Sequence, residues 1–542
     1  MGGTVLRSDL KNEGQKPLSN KPHALIIGAG PAGLTAAYQL LKEGQYEVTV
    51  LEASPYIGGI SRTAKHNANH IDIGGHRFFS KSDEVNRLWQ ELMPLQGKPS
   101  YDDKVLGVQK DFSTGGPDPE VSDQVMLLRN RVSRIYYLGS FFDYPISIKW
   151  KTFKNLGFGR TLKAGFGYIA AAVFKRPEHS LEDFYINRFG KPLYAMFFED
   201  YTTKVWGRHP SEIAASWGAQ RVKGLSLLKT ITSALTKPFR RSKEKLETSL
   251  IDAFHYPKKG PGQYYETMAE AIERLGGRVL LEHEVTRVEL NDDRSIASVE
   301  ATKADGSRVS FTSDAYFSSM PIKDLFLAFT GKAAPHEPLR QLAAKLPYRD
   351  FMTVGLLVER LKLKSETNIP TLGDIVPDNW IYIQERSVRL GRLQIFNNWS
   401  PYLVTDPEKY VWIGLEYFCD EGDQYWQMDD QAFIDFATKE LASIGIIDQQ
   451  DVRDAVRIRV KKAYPAYFGV YDRFAEMKDY LLGVSNLYCI GRNGQHRYNN
   501  MDHSMLTSLR AVDVLMGRAT QDDLWNVNAE REYHETNKEG EK

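Results

Sequence analysis

The chain has 542 residues, of which 42% are hydrophobic and 12% aromatic, and this length favours two domains over one ordinary core. Its 70 Lys and Arg residues balance 69 Asp and Glu residues, which excludes nucleic-acid binding through bulk charge. The two cysteines exclude a disulfide framework and are typical of a reducing, cytoplasmic compartment.

The chain begins with a polar stretch, residues 1–21, that lacks the apolar segment of a signal peptide. We therefore expect a disordered leader. No stretch reaches the roughly 20 consecutive apolar residues that a membrane-spanning helix needs.

The first stretch that indicates chemistry is HALIIGAGPAGLTAAYQLLKEG, an apolar run followed by glycines and a helical pattern. Gly28 permits a tight turn, Gly30 lets backbone amides approach a pyrophosphate, and Gly33 lets the helix pack closely on the strand. The helix N-terminus, which contains Pro31 and Ala32, supplies N–H groups and a partial positive charge to a phosphate.

A second predicted strand at 47–51 ends in Glu52, nineteen residues after Gly33. A carboxylate at this distance can accept hydrogen bonds from a ribose diol, and Ala53 follows it at the same strand end. Together these features predict a dinucleotide site, and a glycine-rich turn in an ordinary α/β fold is the alternative.

The glycine pattern continues in two later segments. ASPYIGGISRT contains Gly59, Ile60 and Arg62, and HIDIGGHRFFS contains Gly75 and His76. These segments resemble the amine-oxidase-like group of FAD flavoproteins, which includes protoporphyrinogen oxidases, carotenoid desaturases and UDP-galactopyranose mutases. The resemblance implies non-covalent FAD in place of NAD, with the second glycine pair beside the flavin. The alternative is that the two glycine pairs are two unrelated turns.

The next part of the chain is expected to be mostly outside the nucleotide unit. We predict a helix at 83–92, an irregular excursion at 94–119, a hairpin around Gly139 and a mainly helical region at 149–241. The segment FFEDYTTKVWGRHPSEIAASWGAQRVKG interleaves aromatic and cationic residues, which fits either a bound phosphorylated sugar or a packed helical core.

An apolar run at 166–174 lies among basic residues. Such a pattern fits either contact with an anionic membrane surface or a solvated face, and we favour the solvated face. The basic residues around it and in a second stretch are Lys149, Lys151, Lys154, Arg160, Lys163, Lys175 and Arg176, followed by Lys237, Arg240, Arg241, Lys243 and Lys245.

After this region the periodicity predicts a return to the first domain. The expected elements there are a helix at 264–275, strands through 279–290, a hairpin at 298–311 and a strand ending at Pro321. In relatives of this fold a strand passes beside the adenine at the position of Val285. The second domain resumes with strands at 352–358, 380–384, 393–397 and 411–417 and a helix at 429–444, after which residues 456–463 lead into YPAYFGVYD.

The last motif is NLYCIGRNGQHRYNNMDHSMLTSLRAVDVL, which predicts a short strand at 487–490 and a helix at 502–515. In the flavoprotein group this unit completes the FAD site, which implies roles for Gly491, Arg492, Met501 and Asp502. The helix dipole there stabilises negative charge on the reduced flavin.

Several blocks resemble the UDP-galactopyranose mutases in particular, namely GGHRFFS, YTTKVWGRHPSEIAASWGAQRV, KAYPAY and GRNGQHRYNNMD. The resemblance implies that His76 supports the flavin, that Arg221 and Arg492 hold the phosphate, and that Tyr464 and Tyr498 orient it. In that family the chemistry is redox-neutral and takes place at reduced flavin, for which NAD(P)H is the candidate external reductant.

Two positions depart from the mutase pattern. Leu225 replaces a second arginine, and His496 replaces a tyrosine before the basic residue of the last motif. We therefore expect a phosphorylated sugar, nucleotide- or lipid-linked, whose identity differs from that of the bacterial enzymes. Net oxidation of an amine, polyene or porphyrinogen is the main alternative, and flavin binding without turnover is the other.

The sequence thus predicts an α/β protein with a discontinuous Rossmann-type FAD-binding domain and an inserted mixed α+β substrate domain. The FAD-binding segments are expected at 22–100, 251–335 and 471–520, and the substrate segments at 101–250 and 336–470. A charged tail at 521–542 is expected to be peripheral.

Overall fold

A computed structural model describes residues 21–144, 146, 150–215 and 253–528. The helices are α1 Pro31–Glu43, α2 Asp83–Leu92, α3 Tyr101–Leu106, α4 Trp150–Leu156, α5 Phe158–Val173, α6 Leu181–Phe189, α7 Lys191–Phe197, α8 Glu199–Trp206, α9 Pro261–Arg274, α10 Ile322–Ala328, α11 Glu337–Ala344, α12 Phe396–Trp399, α13 Gln424–Gln427, α14 Asp430–Ser443, α15 Phe474–Leu482, α16 Gly491–Gly494, α17 Met501–Leu515 and α18 Gln521–Trp525.

The strands are β1 His23–Ile27, β2 Glu47–Leu51, β3 Thr63–His66, β4 Asn69–Asp72, β5 Met126–Asn130, β6 Ser133–Tyr137, β7 Ser140–Asp143, β8 Ala253–Pro257, β9 Arg278–Leu280, β10 His283–Leu290, β11 Ile296–Lys303, β12 Arg308–Phe311, β13 Ala315–Ser318, β14 Phe329–Thr330, β15 Tyr348–Val358, β16 Trp380–Ile383, β17 Arg392–Ile395, β18 Val411–Cys419, β19 Val452–Pro465 and β20 Leu487–Cys489.

The chain divides into two compact units. Unit 1 contains the residues up to Gly59, Tyr265–Leu346 and Asp472–Val527, and unit 2 contains Ile60–Tyr264, Pro347–Tyr471 and the residues from Asn528 onward. Each unit is therefore assembled from segments that are far apart in the sequence.

Unit 1 is built on a parallel sheet with the strand order β20-β13-β1-β2-β9. β1 pairs in parallel with β2 and with β13, and α1 is the crossover helix between β1 and β2. Ala24, Leu25 and Ile26 are fully buried, which explains why β1 is a continuous apolar run. A second sheet, of order β12-β11-β10-β14, completes this unit.

Unit 2 is built on a seven-stranded sheet with the order β19-β15-β18-β17-β16-β6-β7. One face carries apolar side chains such as Val354, Leu393 and Leu415, which form a core with residues of α14. The alternate residues of the same strands, Glu416 and Arg392 among them, point to the opposite face because side chains alternate along a strand.

The boundary between the first two segments differs from our prediction. Residues 60–100, which we assigned to the FAD-binding domain, belong to unit 2. The reason is packing, since Ile71 lies in one buried cluster with Phe254, Trp399 and Trp412. This cluster joins three distant parts of the chain, so local sequence patterns do not reveal it.

Three local predictions are also corrected. The excursion at 94–119 contains α3, which a capping box of Ser100 and Asp103 stabilises. The predicted strand at 393–397 ends at Ile395, and α12 begins because the Phe396 ring fills the space above Gly414. The expected peripheral tail at 521–542 begins with α18, whose Leu524 and Trp525 are buried.

Candidate flavin and substrate sites

The turn after β1 in unit 1 has the geometry that a nucleotide-binding loop requires. Gly28 has φ +104°, and its N–H donates to the Leu51 carbonyl at 2.7 Å. A Cβ at Gly33 would lie 1.8 Å from the Gly28 carbonyl oxygen. Neither glycine accepts a side chain without moving the turn away from the helix.

The N-terminus of α1 has the features of an anion-binding site. Its N-cap residue is Gly30, which has no side chain to cap the helix, and Pro31 occupies the first turn without any acidic neighbour. A Cβ at Gly30 would lie 3.8 Å from Gly59 Cα, so two backbones approach each other here. The helix end keeps its partial positive charge and amide donors for a pyrophosphate.

Glu52 lies at the end of β2 and faces this turn. One carboxylate oxygen accepts the Ala29 N–H at 2.8 Å, and the other accepts the Ser54 N–H at 2.9 Å and the Ser54 hydroxyl at 2.8 Å. A carboxylate has about four acceptor positions, so these bonds orient Glu52 and leave capacity for a ribose diol.

Ala53 and Val285 lie in the neighbouring strand region of unit 1. The Glu282 and His283 N–H groups donate to the Ser54 and Glu52 carbonyls at 3.1 and 2.8 Å. Val285 follows on β10, where it is buried and pairs with Ala301. The predicted adenine-side residue is therefore on a strand that is anchored directly to the ribose-side acid.

The C-terminal motif docks on the first turn of α1. The Ser508 hydroxyl donates to the Ala32 carbonyl at 2.7 Å, and a Cβ at Gly491 would lie 2.8 Å from Ala32 Cβ. The Gly491 N–H donates to Thr507 Oγ1 at 2.8 Å. Two motifs that are about 460 residues apart in sequence thus pack against each other.

The loop between α16 and α17 places the remaining predicted residues of unit 1. Arg492 Nε donates to the Asn499 carbonyl at 2.8 Å, and its guanidinium lies 4.8 Å from the centre of the Tyr498 ring. Met501 and Asp502 are buried in the first turn of α17. Arg492 therefore holds the loop that leads to this helix N-terminus.

Of the two positions that depart from the mutase pattern, Leu225 lies outside the described residues, whereas His496 and its neighbour Arg497 have structural contacts. The Arg497 guanidinium donates to the carbonyls of Trp525 and Val527 at 2.5 and 2.8 Å. His496 is buried, has φ +44° and contacts the Phe474 ring at 5.8 Å between centroids. This part of the motif fixes α18 to unit 1.

The glycine–histidine segment belongs to unit 2, together with Ile60 and Arg62. Gly74 has φ +88°, and His76 Nδ1 lies 3.1 Å from the Gly74 carbonyl oxygen. A Cβ at Gly75 would lie 3.5 Å from the Trp399 ring and 3.7 Å from Gln394 Oε1. This segment therefore lies against the polar face of the seven-stranded sheet.

That face carries a polar network at its centre. The buried Glu416 forms an ion pair with Arg392 and accepts a hydrogen bond from Gln394 Nε2 at 2.7 Å. Arg392 also donates to the Tyr464 hydroxyl at 3.1 Å. We call Arg392, Gln394, Glu416 and Tyr464 the polar network.

Aromatic hydroxyls and a lysine lie in the same unit. The Tyr382 ring contacts Tyr144 at 4.5 Å and Tyr201 at 5.6 Å, and Tyr382 is the strand partner of Arg392. Burial raises the pKa of Tyr201 well above its ordinary value, so this phenol stays neutral. Lys204 donates to three backbone carbonyls, and its burial lowers its pKa to about 8.

Tyr464 was predicted from the sequence, but Arg392, Gln394 and Glu416 were not. A signal was present, because RLQIF and GLEYF are apolar strands that each contain isolated polar residues. Buried charge in such a strand needs a partner, and the strand register that pairs these residues is a property of the fold. Arg221 lies outside the described residues.

The residues of unit 1 fit FAD through three features: the uncapped helix end, the acid oriented on the turn, and the C-terminal motif on α1. Among the described residues, 21–144, 146, 150–215 and 253–528, no group of three or more His, Cys, Asp or Glu side chains could hold a metal ion. In the same ranges no helix is long and apolar enough to cross a membrane.

Solved structures show the same fold. A reduced UDP-galactopyranose mutase matches with a TM-score of 0.72 and 20% identity, over 94% of this chain and 96% of that chain. A putative protoporphyrinogen oxidase from Exiguobacterium sp. 255-15 matches with a TM-score of 0.61 and 15% identity, over 92% of this chain and 100% of that chain. These matches confirm the predicted α/β flavoprotein fold.

Sequence relatives are more remote. Amine oxidase [flavin-containing] A from Canis lupus familiaris is 24% identical over 275 residues, which is 50% of this chain and 45% of the relative. The chain spans less than half the length of the curated relatives that it matches.

A family model covers far more of the chain than these pairwise matches. The model described as flavin-containing amine oxidoreductase matches residues 31–516. That range begins at the first residue of α1 and includes the polar network and the C-terminal motif. The predicted flavoprotein resemblance is confirmed, FAD is the cofactor that the family implies, and the chain belongs to the flavin-containing amine oxidoreductase family.

Proposed function

We propose that this flavoenzyme isomerises or transfers a phosphorylated sugar, nucleotide- or lipid-linked, in a reaction without net oxidation. The observation that carries the proposal is the polar network of unit 2. Its charged and hydroxyl groups are suited to a polyhydroxylated, anionic ligand, because such a ligand needs directed hydrogen bonds in a buried site. The similarity to a mutase over most of both chains also supports it.

In this proposal the protein supplies binding and position. Glu416 holds Arg392 in place, and Arg392 orients the Tyr464 hydroxyl toward an oxygen of the sugar or its phosphate. Arg221 and Arg492 hold the leaving phosphate, Tyr498 orients it, and His76 supports the cofactor. Reduced FAD, when bound, supplies the nucleophile, which explains why no serine or cysteine nucleophile is required. NAD(P)H is the proposed external reductant.

Net oxidation of an amine or polyene is the second candidate. The observation that favours it is the aromatic group Tyr144, Tyr201 and Tyr382, whose rings could flank an uncharged substrate. The two candidates differ in what they need from the polar network. A buried ion pair next to an apolar substrate destabilises the complex, because its charges stay desolvated. A sugar can instead form hydrogen bonds with the groups that the ion pair orients.

The test uses the purified holoenzyme with a panel of nucleotide- and lipid-linked sugars in the absence of oxygen. Tyr464→Phe and Arg392→Lys are compared with the control Tyr410→Phe, which lies in the same unit outside the polar network. We expect the reduced enzyme to convert one sugar and both network variants to lower kcat/KM by 10-fold or more. Oxidation of an amine or polyene that the network variants leave unchanged would overturn the proposal.

A further inference from the structure

The helix α5 in unit 2 presents its large apolar residues to solvent. Phe158, Leu162, Phe166, Ile169 and Val173 follow each other at intervals of three or four residues, which confines them to roughly 80° of the helix circumference. Their exposed fractions lie between 44% and 81%. We call these five residues the apolar stripe.

The residues of α5 that are buried against the protein are small. Ala164 and Ala171 are the buried residues of this helix. A Cβ at Gly167 would lie 2.3 Å from Pro192 Cδ, so α5 approaches α7 through a glycine. A helix on a globular protein ordinarily buries its large apolar side. Here the orientation is reversed, which is expected only if another apolar phase covers the stripe.

The exposed apolar surface continues beyond both ends of α5. Trp150, at the start of α4, is 80% exposed, and Phe174, directly after α5, is 77% exposed. Tryptophan and phenylalanine are the residues that insert most favourably at the boundary between lipid headgroups and acyl chains. The apolar stripe is therefore the centre of a longer surface.

The charged residues of α4 and α5 are all positive, and acids from outside this segment pair with Lys151 (Glu366, 2.7 Å) and Arg176 (Asp183, 3.6 Å). Between Trp150 and Arg176 the sequence contains no Asp or Glu, whereas it contains Lys151, Lys154, Arg160, Lys163, Lys175 and Arg176. Lys163 is about 100° from the middle of the apolar stripe around the helix, beside its edge, whereas Arg160 is about 160° away and lies on the opposite side. A positively charged border beside apolar residues is complementary to an anionic lipid surface.

The dimensions of α5 decide how it would meet a membrane. Its 16 residues give a length of roughly 24 Å, which is shorter than the roughly 30 Å hydrocarbon core of a bilayer. Consistently, no helix of the residues that the structure describes is long and apolar enough to span a membrane. The helix can lie only in the plane of the interface, with the stripe inserted among the acyl chains.

We propose that α4 and α5 form a membrane-docking surface that binds anionic lipid bilayers through the apolar stripe and its basic border. The occupant is the bilayer surface, because the charge complement and the in-plane helix both match it. This reverses the preference for a solvated face that the sequence alone suggested. The proposal is independent of the reaction that the flavin supports.

The test uses the full chain with vesicles of phosphatidylcholine alone or with 30% phosphatidylglycerol, measured by flotation and by the fluorescence of Trp150. We expect binding to the anionic vesicles, a blue shift that Trp150→Phe reduces, and loss of binding in high salt. Phe158→Ser with Phe166→Ser should weaken binding by about 100-fold, since burying each aromatic side chain contributes about tenfold or more. Lys163→Gln should weaken it by about fivefold.

Two matched variants control for unspecific effects. Val121→Ser removes an exposed apolar residue elsewhere in unit 2, and Lys332→Gln removes an exposed lysine in unit 1; both should bind like the wild type. Absence of flotation of the wild-type chain overturns the proposal, as does equal binding to both kinds of vesicle. The proposal is also overturned if a variant of the apolar stripe dissociates a dimer without changing vesicle binding. The stripe would then be covered by a second copy of this chain and not by a bilayer.

Discussion

The ion pair at the centre of the polar network gives a prediction that separates stability from function. Glu416 is 1% exposed and contacts both Arg392 and Gln394. Glu416→Gln removes its charge while keeping its shape, which leaves the Arg392 guanidinium, whose side chain is 21% exposed, without its counter-ion. Removing one partner of a buried pair costs about 3–5 kcal/mol, so we expect the free energy of unfolding to fall by roughly 3 kcal/mol.

The double variant Arg392→Met with Glu416→Leu removes both charges together. Replacing a buried pair with apolar residues of similar size is often neutral, so its stability should lie within about 1 kcal/mol of the wild type. Its activity should stay low, because the Tyr464 hydroxyl loses the donor that orients it. A stable but inactive double variant would assign the network to substrate positioning.

The assay is urea unfolding of each variant with FAD at a fixed concentration, followed by far-UV circular dichroism. Glu421→Gln is the control, since Glu421 forms an ion pair with Lys461 in which both side chains are at least half exposed. Such a surface pair contributes about 0–1 kcal/mol. If Glu416→Gln costs no more than this control, the argument from burial is refuted.

Three further predictions concern the flavin loop and one buried acid. Glu52→Gln should weaken FAD binding about 10- to 100-fold in a fluorescence titration, whereas the control Glu47→Gln on the preceding strand should not. Equal FAD dissociation constants for the two variants would contradict the assignment of Glu52. Gly33→Ala should abolish FAD binding, because its Cβ would lie 1.8 Å from a carbonyl oxygen. The control Gly165→Ala has open space around the new Cβ and should be stable. Retention of FAD by Gly33→Ala would refute this geometry. Burial raises the pKa of the Asp72 carboxyl group to about 7 in the folded protein. In the unfolded chain the same carboxyl group loses its proton from about pH 4 upward, so the folded state is favoured less as the pH rises between these two values. Relative to Asp72→Asn, the wild type should therefore lose on the order of 4 kcal/mol of stability between pH 4 and pH 8, and parallel stability curves would show that Asp72 does not titrate in this range.

The sequence predicts well those elements whose signals are local. The strand, turn and helix around Gly28 and Gly33 agree with the structure because each glycine is required by a neighbour only a few residues away. α2 begins and ends where predicted, and its N-cap is Ser82, a residue that signals a helix start. Local sterics and capping decide these elements, so a single sequence contains the information.

Features that depend on distant contacts could not be predicted. The boundary at Gly59 reflects the packing of Ile71 on residues from two later segments. The pairing of Arg392 with Glu416 requires the register between β17 and β18, which no local pattern specifies. The sequence here predicts a mainly helical region with an apolar run among basic residues, but only the fold shows that the small residues of α5 face inward and its phenylalanines outward.

The proposed reaction proceeds at the flavin without net oxidation. The most direct measurement counts product molecules per reducing equivalent, using anaerobic holoenzyme reduced once by light and then mixed with the sugar that it converts. We expect many isomerised product molecules per flavin, while the absorption spectrum remains that of reduced flavin. Later exposure to air should then produce no more than one equivalent of hydrogen peroxide per flavin. Bleaching of the flavin by substrate in a parallel sample that was left oxidised, with one oxidised product per flavin, would contradict this proposal.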